Sequence, residues 1–145
     1  MNAPAVTLYR FLILASVLVG LVASFLDLAF PSLVPESMSV AFDSLPAPSA
    51  SALISVSVLV LITFGGAIAA TIGLYFFQSW ARPLAIWMTA LGLLFHPLLG
   101  VSLQSGWAQL MLDASSLLWG AVIAMSYVSS LRERFVPMPS KPADA

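Results

Sequence analysis

Residues 52–77 read ALISVSVLVLITFGGAIAATIGLYFF, a run without a single charged side chain. A bilayer hydrocarbon core about 30 Å thick is crossed by about 20 apolar helical residues. This run is longer than that, so it predicts a membrane-spanning helix with some tilt. A strand crossing a membrane would alternate apolar and polar residues over about 10 positions. No such alternation is present, which makes helices in lipid the fold to expect.

The rest of the chain extends the pattern. Apolar runs over about 8–30, 83–103 and 109–131 predict three further spans, the first stopping at Pro31 and the third opening on Pro83, which suits a first helical turn. The first run is too long for the core of a secretory signal and is read as an uncleaved anchor. Of the 145 residues, 61% are hydrophobic and only 8% charged, whereas a soluble domain carries about 25% charged residues. So few charges cannot hydrate a globular surface. A net charge of −1 argues against nucleic acid as a partner, and the absence of cysteine removes disulfides, thiolate metal sites and cysteine nucleophiles. The expected fold is all-α: a polytopic membrane protein with four transmembrane helices in one antiparallel bundle over residues 1–131.

Basic residues set the expected orientation. Arg10 opens the first span, Arg82 separates the second and third, and Arg132, Arg134 and Lys141 follow the fourth. The long connection 31–51 and the turn near Gln104–Trp107 carry none. Both termini are therefore expected in the cytoplasm of a bacterial inner membrane, with Tyr9, Tyr75, Trp80, Trp87 and Tyr127 near the inner interface and Trp107 near the outer one. The turn Gln78–Pro83 resembles turns in many small bacterial membrane proteins and identifies no family. Residues 132–145, which end in VPMPSKPADA, are expected to form a disordered cytoplasmic tail.

The outer loop 31–51 is long for a helix–helix connection. Pro35 and Glu36 suit the first turn of a short amphipathic helix with Met38, Ala41, Phe42 and Leu45 on one face. The alternation of Met38, Val40 and Phe42 fits a strand as well. As a helix it would lie on the outer membrane surface, either packed over the bundle or serving as a lid or docking surface.

Helices in lipid associate through close backbone approach, which small residues permit. The expected packing stripes are Ser16, Gly20 and Ser24; Gly65, Ala69 and Gly73; Gly92 and Gly100; and Ser116, Gly120 and Ala124. The same stripes can instead meet another subunit.

Three ionisable groups fall inside the expected spans: Asp27, His96 and Asp113. An ionised side chain at the bilayer centre costs about 2.5–3.5 kcal/mol on insertion scales, so each needs a reason. At about 1.5 Å per residue, Asp27 lies about 5 Å, His96 about 10 Å and Asp113 about 6–9 Å below the outer boundary. Each sits on its helix's small-residue stripe. They are thus expected to converge as a candidate intramembrane polar site, beside a helix kink at Pro97. Structural roles are equally available: Asp27 as a helix cap, Asp113 against the positive end of a dipole, His96 as a donor to a neighbouring carbonyl. Trp119 lies far from either aromatic belt and is expected to be packing bulk rather than a pocket wall.

One histidine and no cysteine leave no metal-ligand set, and no nucleophile elbow is present. No catalytic residue, metal or cofactor is therefore expected. The function expected is that of a non-catalytic accessory, assembly or interaction subunit of a membrane complex, bound to a membrane-protein partner or to further copies of itself. The alternative expectation is a small transporter, proton-coupled or otherwise, using His96, Asp113 and Asp27.

Overall fold

A computed structural model describes residues 3–46, 49–95, 104–128 and 130–135. They form five α-helices: α1 (Ala3–Ala29), α2 (Glu36–Asp43), α3 (Ala50–Tyr75), α4 (Ala81–Phe95) and α5 (Gly106–Val128). Short 3-10 turns follow α1 at Pro31–Leu33 and α5 at Ser130–Phe135. Three helices are long and apolar enough to cross a membrane: Pro4–Ala29 within α1, Leu53–Tyr75 within α3, and all of α5. The fourth apolar helix, α4, has 15 residues. The far end of the expected third span, with His96, Pro97 and Gly100, lies outside the described residues. The outward surface is that of a multi-pass membrane protein: Leu28 is 75% exposed, Leu117 77% and Val128 87%.

Local chemistry sets the helix ends. α1 stops before Pro31, which has no amide to donate, and the chain turns through Val34 N–H to the Pro31 carbonyl at 3.1 Å. Of the helix and the strand open to this segment the helix forms: Pro35 precedes α2 and Glu36 places a carboxylate at the positive end of its dipole. α3 closes in a Schellman turn, Phe77 N–H to Leu74 O at 3.1 Å and Gln78 N–H to Gly73 O at 2.8 Å. That turn needs a left-handed residue, usually glycine, and Phe77 supplies it at φ 58°. α5 begins three residues before its expected start at Gln109. Ser105 is the reason: its Oγ accepts the Ala108 N–H at 3.2 Å, capping a helix that takes in the turn-like pair Gly106–Trp107.

The helices run antiparallel to their neighbours. Along the α1–α5 seam, Asp27 meets Ser105, Ser16 meets Ser115, and Tyr9 meets Phe135 beyond the end of α5. Along α3–α4, Thr63 faces Gly92, Gly66 faces Met88 and Gly73 faces Ala81. Thr89 and Arg82 of α4 reach Trp119 and Ser126 of α5. The buried core lies toward one end, at Tyr9, Ile13, Ala70, Leu74, Ala81, Ala85, Val122, Leu131 and Phe135. This end carries the arginines and is called the basic end; the opposite one is the α2 end.

Several expectations are corrected here. The stripe Ser116, Gly120 and Ala124 packs on no other described residue: all three are exposed, and a Cβ on Gly120 would meet none of the described residues within 4 Å. The inward face of α5 is Ala108, Ser115, Trp119, Val122 and Ser126, about 100° around the helix per residue of offset. Gly65 likewise faces open space, and its neighbour Gly66 is the residue closed on by Met88. Gly73 does pack, its Cβ position lying 2.6 Å from the Ala81 Cβ, and Gly20 packs on Ser115. Ser16 is buried, Ala69 half-buried, Ser24 exposed, and among the described residues Gly92 has Thr63 nearest, 4.0 Å from its Cβ position. The expected disordered tail loses its first four residues to the Ser130–Phe135 turn. There Leu131 and Phe135 are buried while Arg132, Glu133 and Arg134 stay exposed, so an apolar pair four apart folds back onto the core. Nor does α2 pack over the bundle, since none of its residues is buried.

Candidate functional site

Of the three polar groups expected to converge, the two that are described, Asp27 and Asp113, take separate partners. Asp27 turns toward the start of α5, where its Oδ2 accepts the Ser105 N–H at 2.8 Å. Together with the Ser105 cap this sets a carboxylate at the positive end of the α5 dipole, a helix-terminal role. Its Oδ1 is buried without a hydrogen-bond partner among the described residues. Asp113 is exposed on α5, and Gln109 Nε2 donates to its Oδ1 at 3.0 Å within the same helix. No hydrogen bond joins the two aspartates, and His96 lies outside the described residues.

Two other features stand out. The first is a cleft of about 540 Å³ between α1, α3 and α5, open on one side. Val17, Leu21, Phe64, Ile68, Ile72 and Leu112 line it, with Trp119 as one wall. Trp119 is thus both wall and brace: its Nε1 donates to Thr89 Oγ1 at 2.9 Å, tying α5 to α4. The hydroxyls in the cleft are already engaged. Ser24 donates to Gly20 O at 2.8 Å, Thr71 to Ala67 O at 2.8 Å, and Ser115 to Ser16 O at 2.8 Å. A cleft of that kind receives an apolar body and offers no nucleophile.

The second feature is the basic end itself, where arginines lie on aromatic faces. Phe77 is central: its ring stacks on Tyr9 at 5.5 Å and meets Phe135 at 5.2 Å. Arg10 and Arg134 lie over Phe77 at 5.6 and 5.5 Å, and Arg10 lies over Tyr75 at 4.8 Å. Arg82 lies over Phe135 at 4.8 Å and Tyr127 at 5.1 Å, with Nη1 donating to Ser126 O at 3.3 Å. Guanidinium groups held this way keep their charge while covering apolar rings. They also lock the Phe77 side chain in place, offsetting the about 1–2 kcal/mol that a left-handed non-glycine residue costs. Sequence reasoning used these arginines only for orientation and missed the cluster. The signal available was the recurrence of Arg beside Tyr or Phe at Tyr9–Arg10 and Arg134–Phe135.

Among the described residues, no group of three or more His, Cys, Asp or Glu side chains is placed to hold a metal ion. No family model matches the chain, and neither a curated protein nor a solved structure matches it.

Proposed function

We propose that this protein is a non-catalytic accessory or assembly subunit that binds another membrane protein through the outward face of α5. One observation carries the reading: Gln109, Asp113, Ser116, Gly120 and Ala124 line one exposed side of an apolar helix. Exposed leucine is ordinary in lipid, but an exposed carboxylate–amide pair is not. Asp113 lies about 10 Å along α5 from its start, deep enough to be costly when bare to hydrocarbon. Small residues at Ser116, Gly120 and Ala124 let a second backbone approach, and a donor on the incoming helix would complete Asp113. A second copy in parallel would set two carboxylates face to face, so a partner with a basic or amide side chain at that depth is favoured.

In this reading the chain spans four times, with both termini in the cytoplasm of a bacterial inner membrane. Single cysteines at Ser44 and Glu133, in a chain with none of its own, are expected to react with an impermeant label from opposite sides. Reaction from one side overturns that topology.

The partner is tested by purification in mild detergent with mass spectrometry of the complex. Wild type is expected to retain one protein in fixed stoichiometry, Gly120→Leu to lose it, and Asp113→Leu to weaken it about tenfold or more. An inert monomer, or a partner indifferent to both changes, overturns the reading. Loss of a transport phenotype in Asp113→Asn and His96→Ala, with folding intact, would favour the transporter instead.

A further inference from the structure

The cleft and one arginine share a groove. On α1, Arg10, Val17 and Ser24 recur every seven residues and so lie along one face. On α3, Phe64, Ile68, Ile72 and Tyr75 are spaced by four, four and three and so share one face, and Arg10 reaches across to lie over the Tyr75 ring at 4.8 Å. Val17 and Ser24 line the cleft, so Arg10 closes the same α1–α3 groove about 10 Å nearer the basic end. Its guanidinium makes only ring contacts: no hydrogen bond or ion pair to a described residue is formed, and Nε is buried without a partner. Arg82, by contrast, donates to a carbonyl.

We propose that this groove is a lipid site: an acyl chain of an anionic phospholipid fills the cleft, and Arg10 holds the phosphate. The dimensions agree. Arg10 to Ser24 covers about 21 Å at about 1.5 Å per residue, somewhat more than the about 15 Å of one hydrocarbon leaflet. The cleft of about 540 Å³ holds about 18 groups the size of a water molecule at about 30 Å³ each, which is the bulk of one long acyl chain. The cleft's hydroxyls are bonded to helix carbonyls, so a hydrocarbon chain strands no donor there. Phosphate supplies the acceptors that a guanidinium fork lacks here, and charge selects it over a zwitterionic headgroup.

The test uses full-length protein stripped of lipid in detergent and titrated, under native mass spectrometry, with phosphatidylglycerol or phosphatidylcholine carrying identical chains. One phosphatidylglycerol is expected to bind at least about tenfold more tightly than phosphatidylcholine. Arg10→Gln is expected to erase that preference, and Val17→Phe, which fills the cleft, to weaken both lipids. Leu117→Phe, on the far side of α5, is expected to change neither. An unaltered preference in Arg10→Gln, or undiminished binding in Val17→Phe, overturns the site. Competition by glycerol phosphate as effective as that by the lipid would reduce it to a free-phosphate site and overturn the acyl-chain assignment. Should a variant lose its helical circular dichroism, wild type in vesicles of phosphatidylglycerol bearing a photoreactive tail decides. Labels are expected on 17–24 and 64–72, and labelling spread evenly over all exposed apolar faces overturns the proposal.

Discussion

The two ends of the bundle are built on opposite plans. At the basic end, α1, α3, α4, α5 and the last 3-10 turn all place side chains in one core, and three arginines lie on its rings. At the α2 end, no side chain of α2 is buried, and Asp27 on Ser105 is a polar tie between α1 and α5. Apolar area does not itself draw helices together in lipid. Interlocked rings and guanidinium faces do, and among the described residues they lie at one end, with the cleft between α1, α3 and α5 beyond them.

The sharpest way to break this contrast is to empty the basic end. Phe135→Ala removes a buried ring that meets both Tyr9 and Phe77, and is expected to destabilise the bundle by about 3–5 kcal/mol in reversible detergent unfolding. A loss below about 1 kcal/mol would mean that the terminal turn is not part of the core. Phe77 sharpens the contrast by separating backbone from ring. Both Phe77→Ala and Phe77→Gly lose the ring contacts, but only glycine is at ease at φ 58°, so the glycine variant is expected to be the more stable by about 1 kcal/mol. Equal stabilities would show that the left-handed turn is not strained. The smallest effect belongs to the other end: Phe42→Ala in α2 is expected to change unfolding by no more than about 0.5 kcal/mol. A change as large as that of Phe135→Ala would dissolve the distinction between the ends.

How much of this the residues announce depends on which property is asked of them. The long apolar runs and the Pro35–Glu36 start of α2 are legible because length and capping chemistry are local. Which face of a helix packs is not, because lipid leaves both faces of α3 apolar, and on α5 the polar residues Gln109 and Asp113 face outward while Ser115 and Ser126 pack inward, so no apolar stripe marks the core. The small-residue rule then chose Gly65 and Ser116 where the structure packs the adjacent Gly66 and Ser115, one residue and about 100° away. Asp27 was legible as a buried charge needing a partner. That its acceptor role serves Ser105, 78 residues on, rests on how α1 and α5 pair, which no local pattern encodes. Phe135 was hidden for a similar reason: four charged or flexible-looking neighbours surround it, and the ring it meets, Tyr9, lies near the opposite terminus.

That last pairing has a consequence for biogenesis. Ribosomes add about 5–20 residues per second, so Tyr9 exists for on the order of ten seconds before Phe135 is made. During that interval the core has no lid, and Tyr9 and Phe77 can stack only as a half-built site. The bilayer, rather than the bundle, must hold the early helices upright. The ring core is therefore closed only once Phe135 has been made, about 126 residues after Tyr9.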